Sequence, residues 1–292
     1  MAVWALFGLM LASVVITYSR VDPSELYHVQ DSGFAGGLGR ALVSLNFPVA
    51  LAAVPLAALA ARRIGEQWAA VTAVVAAVLC WVVAVPGVVD QGDLDARPVN
   101  AIPALGVALA LVLTIVAIVQ RGLGTPVRRL RGDAVRLVVA ALLVLAGLPW
   151  LFADLGVYIG HVPLLGDLFM SNDLAPTVDN PNHRVVHLGQ HHGAHGVYLG
   201  LTALALTRVL PQVAGRLRGV LAFYLSLMFV YAIGLVLEDG WGEQVVARDW
   251  ASWKIPSVLE PKPSVAWAAV LAAAVALDVL LFRSRAARSR PF

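Results

Sequence analysis

The chain has 292 residues, of which 60% are hydrophobic and only 13% charged, with a formal net charge of +3 and a mean hydropathy of +0.80. Soluble domains carry about 25% charged and 45–50% apolar residues, so this composition excludes a soluble globular domain and makes lipid the solvent for much of the chain. The pI near 9.3 does not point to nucleic acid, because the basic residues fall in short clusters between apolar runs, where they act as topology determinants.

A helix needs about 20 apolar residues to cross the hydrocarbon core, and eight segments qualify: 2–19, 38–60, 68–89, 101–120, 134–153, 188–210, 217–237 and 264–282. The first lacks a charged leading region, and Ile16-Thr17-Tyr18-Ser19 is a poor cleavage site, so it reads as a retained anchor. The loop after it carries Glu25, His28 and Asp31. The third span contains Cys80, the single cysteine, which rules out an internal disulfide or a thiolate metal cage. After it comes Asp90, Asp93 and Asp95, a candidate oxygen site that lacks the glycine and closing glutamate of a calcium loop. No repeat of 20–50 residues is visible. The expected fold is all-α: one polytopic transmembrane bundle over 1–292, with about eight spans and no separate soluble domain.

Charge orients this bundle. Arg62, Arg63, Arg121, Arg128, Arg129, Arg131, Arg136, Arg208, Arg216, Arg218, Arg283, Arg285, Arg288 and Arg290 fall on one side. Only Arg20, Arg40, Arg97, Arg184, Arg248, Lys254 and Lys262 fall on the other. The positive-inside rule makes the first side cytoplasmic, which puts both termini there and all seven histidines outside. Most acidic residues also lie outside; Glu66 and Asp133 are inside and Asp278 lies within the last span. Trp150, Trp241, Trp250, Trp253 and Trp267 sit near the outer boundary, as an aromatic belt would. Abundant alanine, valine, leucine and arginine with little lysine suggests a high-GC bacterium, hence a multi-pass protein of a bacterial plasma membrane.

The informative stretch is Asp179 to Gly200, D-N-P-N-H-R-V-V-H-L-G-Q-H-H-G-A-H-G-V-Y-L-G. Asp179 or Asn180 suits an N-cap and Pro181 the first helical position, and no proline follows until Pro211. These signals predict one helix over 181–210, about 45 Å long and so longer than the hydrocarbon is thick. On it His183, His187, His191 and His195 would fall at about 0°, 40°, 80° and 120°, with Tyr198 and Thr202 continuing the same face. Gly189, Gly193, Gly196 and Gly200 would form an opposite face for close packing, with His192 between the two. Imidazoles at i, i+4 can share a metal ion, and here the pair occurs three times in succession. The outer histidines would be about 18 Å apart, so one ion could not take all four. Further ligands or general bases are sought among Asp154, His161, Glu238 and Asp239, the last pair because carboxylates at the end of an apolar span are costly and often functional. Asp22, Asp167, Asp173, Asp249 and Glu260 read as solvated loop charges.

The spacing H-x-x-x-H followed by H-x-x-x-H-H, here His183/His187 and His187/His191/His192, resembles the histidine boxes of membrane desaturases and hydroxylases, which hold two iron ions. The resemblance covers some ten residues. Family boxes are spread over separate segments and face the cytoplasm, whereas these histidines are consecutive and face outward, so the activity is not carried over.

Four functions compete. The first is a metal-dependent membrane enzyme, a hydrolase or oxidoreductase acting on a lipid-like substrate at the outer face. Its divalent transition metal (zinc, iron or copper) would sit on His183, His187, His191, His192, His195, Asp154 and His161, with Glu238, Asp239 and Tyr198 in catalytic roles. The second is a metal-handling or transport protein, against which the apolar run Ala203-Leu204-Ala205-Leu206 counts. The third is haem ligation by facing histidines, and the fourth a pH-sensing or accessory membrane subunit.

Overall fold

A computed structural model describes residues 1–22, 26, 33–89, 96–124, 129–157, 162–163, 168–169, 174 and 184–283. The described residues are helical, without a strand: α1 (Ala2–Arg20), α2 (Gly33–Ser44), α3 (Ala50–Ile64), α4 (Gln67–Trp81), α5 (Ala101–Arg121), α6 (Asp133–Asp154), α7 (His192–Thr207), α8 (Arg216–Trp241) and α9 (Val265–Asp278). A π-helical turn at Leu45–Val49 joins α2 to α3. Pro48 within it supplies no amide donor, and the wider turn absorbs the missing bond. Further π-helical turns extend α8 over Gly242–Val246 and α9 over Val279–Arg283.

Seven stretches are long and apolar enough to cross a membrane: Ala2–Arg20, Gly33–Ile64, Gln67–Ala84, Pro98–Arg121, Asp133–Asp154, Arg216–Val246 and Val265–Arg283. They match seven of the eight expected spans. The expected helix over 181–210 is corrected. Helical structure begins only at His192 and lasts 16 residues, about 24 Å. Residues 184–191 are non-helical, with isolated bridges joining Leu188 to Leu26 and Arg184 to Leu174. Val185, Val186 and Leu188 use this conformation to fill a small core with Val14, Tyr18 and Ala153 between α1 and α6. Gly189, at φ +108°, makes the break. Its amide donates to the Ala153 carbonyl at 3.0 Å, and a Cβ there would strike the Tyr18 ring.

Side-chain contacts sort the helix termini into two ends. At one end Arg63 donates to the Arg121 and Gly122 carbonyls, Arg121 to the Ile64 carbonyl, and Arg62 to the Ala214 carbonyl. Arg136 and Arg208 both reach Asp133 there, and Trp4 of α1 donates to Thr114 of α5. At the opposite end Thr17 donates to the Asp154 carbonyl at 2.7 Å and Arg20 to the Leu155 and Gly156 carbonyls. The arginine cluster thus lies at one end and the four described histidines at the other. α7 runs between the two, from the level of Asp154 to that of Arg136, whose Nε donates to Thr207 at 3.0 Å.

α7 is the central helix, and eleven of its residues are buried. The expected glycine seam is present from Gly193 onward. A Cβ at Gly196 would lie 2.6 Å from the Ala232 carbonyl oxygen of α8, and one at Gly200 2.7 Å from Leu143 of α6. Gly193 packs against the Trp150 ring, and Gly147 of α6 receives Val197. This is the small-residue packing that lets membrane helices approach where lipid supplies no hydrophobic drive between them. Cys80 is a packing residue of the same kind, its Sγ filling the space where a Gly106 Cβ would sit.

Candidate metal centre

The N-terminus of α7 is met by both helices that flank it. His191 is its N-cap, with extended backbone at φ −125° and ψ 149°. The first amides of a helix have no partner inside it, and here carboxylates from the two flanking helices meet them. Asp154, the last residue of α6, lies against the His191 amide, and Asp239 of α8 lies against those of His192 and Gly193. Both acids therefore hold this terminus in place by accepting from amides that have no partner inside the helix. Glu238 faces elsewhere, accepting from the Val258 amide at 2.9 Å and tying down the segment before α9.

Above this terminus His187, His191 and Glu243 converge. Each offers one ligand atom, and the three atoms lie within 4.8 Å of one another. The two imidazoles stack, with centroids 4.2 Å apart and planes 24° from parallel. The pair expected at i, i+4 is therefore together, but a folded-back non-helical segment joins it. His191 Nδ1 is 2.7 Å from the Gly189 carbonyl oxygen. A carbonyl can only accept, so Nδ1 carries the proton and Nε2 presents its lone pair. That Nε2 is buried, has no hydrogen-bond partner, and faces Glu243 Oε1 at 3.6 Å. Burial, and secondarily the neighbouring His187, hold the His191 pKa well below 6.5, so the ring is neutral and competent as a ligand at neutral pH.

Glu243 is fixed from behind. Trp150 Nε1 donates to Glu243 Oε2 at 2.6 Å, leaving Oε1 for the imidazoles. An oriented imidazole with its far nitrogen on a carbonyl, beside a carboxylate held by its own donor, is the outer-shell pattern of metal sites. The donor set of two imidazoles and one carboxylate suits zinc, iron or copper better than magnesium or calcium.

The remaining candidates disperse. His195, on the first turn of α7, is buried, and its Nε2 meets the Gln190 side-chain amide. His192 sets its ring edge-on to His195, at 5.7 Å between centroids. Among the described residues, the cluster that could hold an ion takes in His187 and His191 with Glu243 and does not include His192 or His195. Tyr198 points down the helix toward Thr202, inside the main core with Phe47 and Tyr231. His28, His161, His183, Glu25, Asp31, Asp90, Asp93, Asp95, Asp167 and Asp173 lie outside the described residues.

Two members of the site escaped the sequence reading. Glu243 sits four residues after Asp239, so continuing α8 one turn past the end of its apolar run places it on the same face. Trp150, assigned to the lipid-facing belt, is instead only 2% exposed and bound to Glu243. Trp250 and Trp253 do stand exposed, as belt residues would.

Comparison with protein-family models, with curated proteins and with solved structures gives no match. The assignment of this site therefore stands on its geometry.

Proposed function

We propose that the chain is a metal-dependent membrane enzyme whose centre lies at the outer boundary of the bilayer and acts on a lipid-like or membrane-proximal substrate. One observation carries this reading: two imidazoles and a carboxylate within 4.8 Å, one of them a buried His191 Nε2 without a hydrogen-bond partner. Among the described residues the site has three protein ligands, which leaves a coordination position open, as in catalytic rather than closed structural centres. When bound there, a divalent ion would lower the pKa of a water toward 7 and polarise a carbonyl or phosphoryl oxygen.

The chain's own residues have distinct roles in this reading. His191, His187 and Glu243 hold the ion, Gly189 and Trp150 orient two of those ligands, and Asp154 and Asp239 anchor the terminus that carries them. His187 and Glu243 are half-buried while His191 is fully buried, so a substrate approaches over the first two. The arginine-poor end faces away from the cytoplasm in this orientation, and a substrate reaches the centre from the outer leaflet or its surface.

Metal analysis of the purified protein tests the proposal. The wild type should carry about one equivalent of zinc, iron or copper after exposure to these ions, and the double variant His187→Ala/His191→Ala should carry none. A wild type that binds no transition metal, or an equal content in the double variant, ends the reading.

A further inference from the structure

A second site lies at the other end of the bundle. Between α6, α7, α8 and α9 there is a crevice of about 290 Å³. Its walls are Val135, Val139, Leu204, Leu225, Phe229 and Leu281, and its mouth carries Arg131 and Arg136. From the start of α8 at Arg216 to Phe229 is 13 residues, about 20 Å along the axis, and from Asp133 to Val139 about 9 Å. The crevice therefore occupies the depth of one leaflet, about half of a 30 Å hydrocarbon core.

Its charge is unbalanced. Asp133 is the acid that Arg136 and Arg208 share, at 3.1 and 3.2 Å. Arg131 is exposed and makes no hydrogen bond or ion pair among the described residues. Two guanidinium groups thus share one carboxylate, and Arg131 adds a further positive charge to the crevice lining. Farther in, Ser226 lines the crevice at 2% exposure, and its hydroxyl has no hydrogen-bond partner. A buried hydroxyl of this kind ordinarily finds a partner, and an ester carbonyl entering from the arginine mouth would provide one.

We infer that this crevice binds one anionic phospholipid of the arginine-side leaflet, its phosphate on Arg131 and Arg136 and an acyl chain along the apolar wall. Basic pockets between membrane helices recognise lipid headgroups in this way, and the combination of a positive mouth with a leaflet-deep apolar wall selects a lipid over a free anion. The site is remote from the metal centre and independent of its function.

The test uses full-length protein in nanodiscs of phosphatidylcholine doped with phosphatidylglycerol, read by native mass spectrometry after mild delipidation. One phosphatidylglycerol should be retained per chain in preference to phosphatidylcholine. Arg131→Gln, which breaks no contact within the described chain, should weaken retention about fivefold, the loss expected for one arginine near an anionic surface. Ser226→Leu, which narrows the crevice, should displace the lipid while leaving metal content intact. Equal retention of the two lipids, or retention unchanged in Arg131→Gln, overturns the inference. Displacement of the phosphatidylglycerol by millimolar inorganic phosphate would overturn it too, by making the site one for a free anion.

Discussion

Replacing Trp150 with Phe tests the metal centre without touching a ligand. The indole N–H donates to Glu243 Oε2 at 2.6 Å, and with a cation bound to Glu243 as a carboxylate, such a hydrogen bond to a charged group contributes about 1.5–3 kcal/mol. Phenylalanine keeps an aromatic ring against Gly193 but cannot donate. If the bond serves to hold Glu243 toward His191, its loss should appear in metal affinity. Removing an outer-shell partner lowers affinity by about 10–100-fold, equivalent to about 1.4–2.8 kcal/mol. The two independent estimates agree. The assay is competition for zinc against a chelator of known affinity, with the purified protein in detergent. A double-mutant cycle makes the test specific: in a Glu243→Gln background, Trp150→Phe should have little further effect, because the carboxylate it orients is gone. An affinity unchanged within twofold in the single variant, with the fold intact, would refute the account of Glu243 as a held ligand.

Three further outcomes follow. Gly196→Ala places a methyl 2.6 Å from the Ala232 carbonyl oxygen, and backbone cannot rotate away, so α7 and α8 must separate; a cost of about 1–3 kcal/mol is expected, seen as a lowered thermal unfolding midpoint. In metal-free protein, the part of the stability that depends on His191, read as the difference between wild type and His191→Asn, should fall as the pH drops below about 6.5. The unfolded chain takes a proton at His191 near that pH, while in the folded chain burial holds the pKa well below it. Stability is therefore fully present above 6.5 and is lost toward the folded value, by at most about 1.4 kcal/mol per pH unit; denaturant titrations at pH 7.5 and 5.5, with and without His191→Asn, check the sign. Finally, Ser252→Cys, before α9 at the histidine end, should react with an impermeant maleimide on intact cells, and Ala214→Cys, at the arginine end, should not. The reverse pattern would invert the orientation and place the metal centre in the cytoplasm.

What could be read from the residues alone was whatever depends on local composition. Seven spans are stretches where apolar residues outnumber everything else for some 20 positions, and the hydrocarbon core imposes that length irrespective of neighbours. The clustering of arginines at one end and of the described histidines at the other was equally legible, since each loop's charge follows from its place between spans. The glycine seam of α7 could be seen because small residues at helical spacing point to one packing face wherever the helix is buried.

The metal centre was only half visible, because helix start signals are local while helix survival is not. Asp179, Asn180 and Pro181 argued for a long helix, yet Val185, Val186 and Leu188 gain more by filling the core between α1 and α6, and Gly189 provides the left-handed turn that allows it. Two of those signals were in the sequence, the β-branched pair Val185-Val186 and Gly189, a residue type that weakens a helix by about 1 kcal/mol. What they were traded against, the pocket beside Tyr18 and Ala153, exists only after folding. The same holds for Glu243 and Trp150: periodicity can put a carboxylate on a helix face, but it cannot say that a tryptophan 93 positions earlier will stand behind it. A metal site needs atoms from distant segments at ångström spacing, and only the packing of α6, α7 and α8 sets that distance.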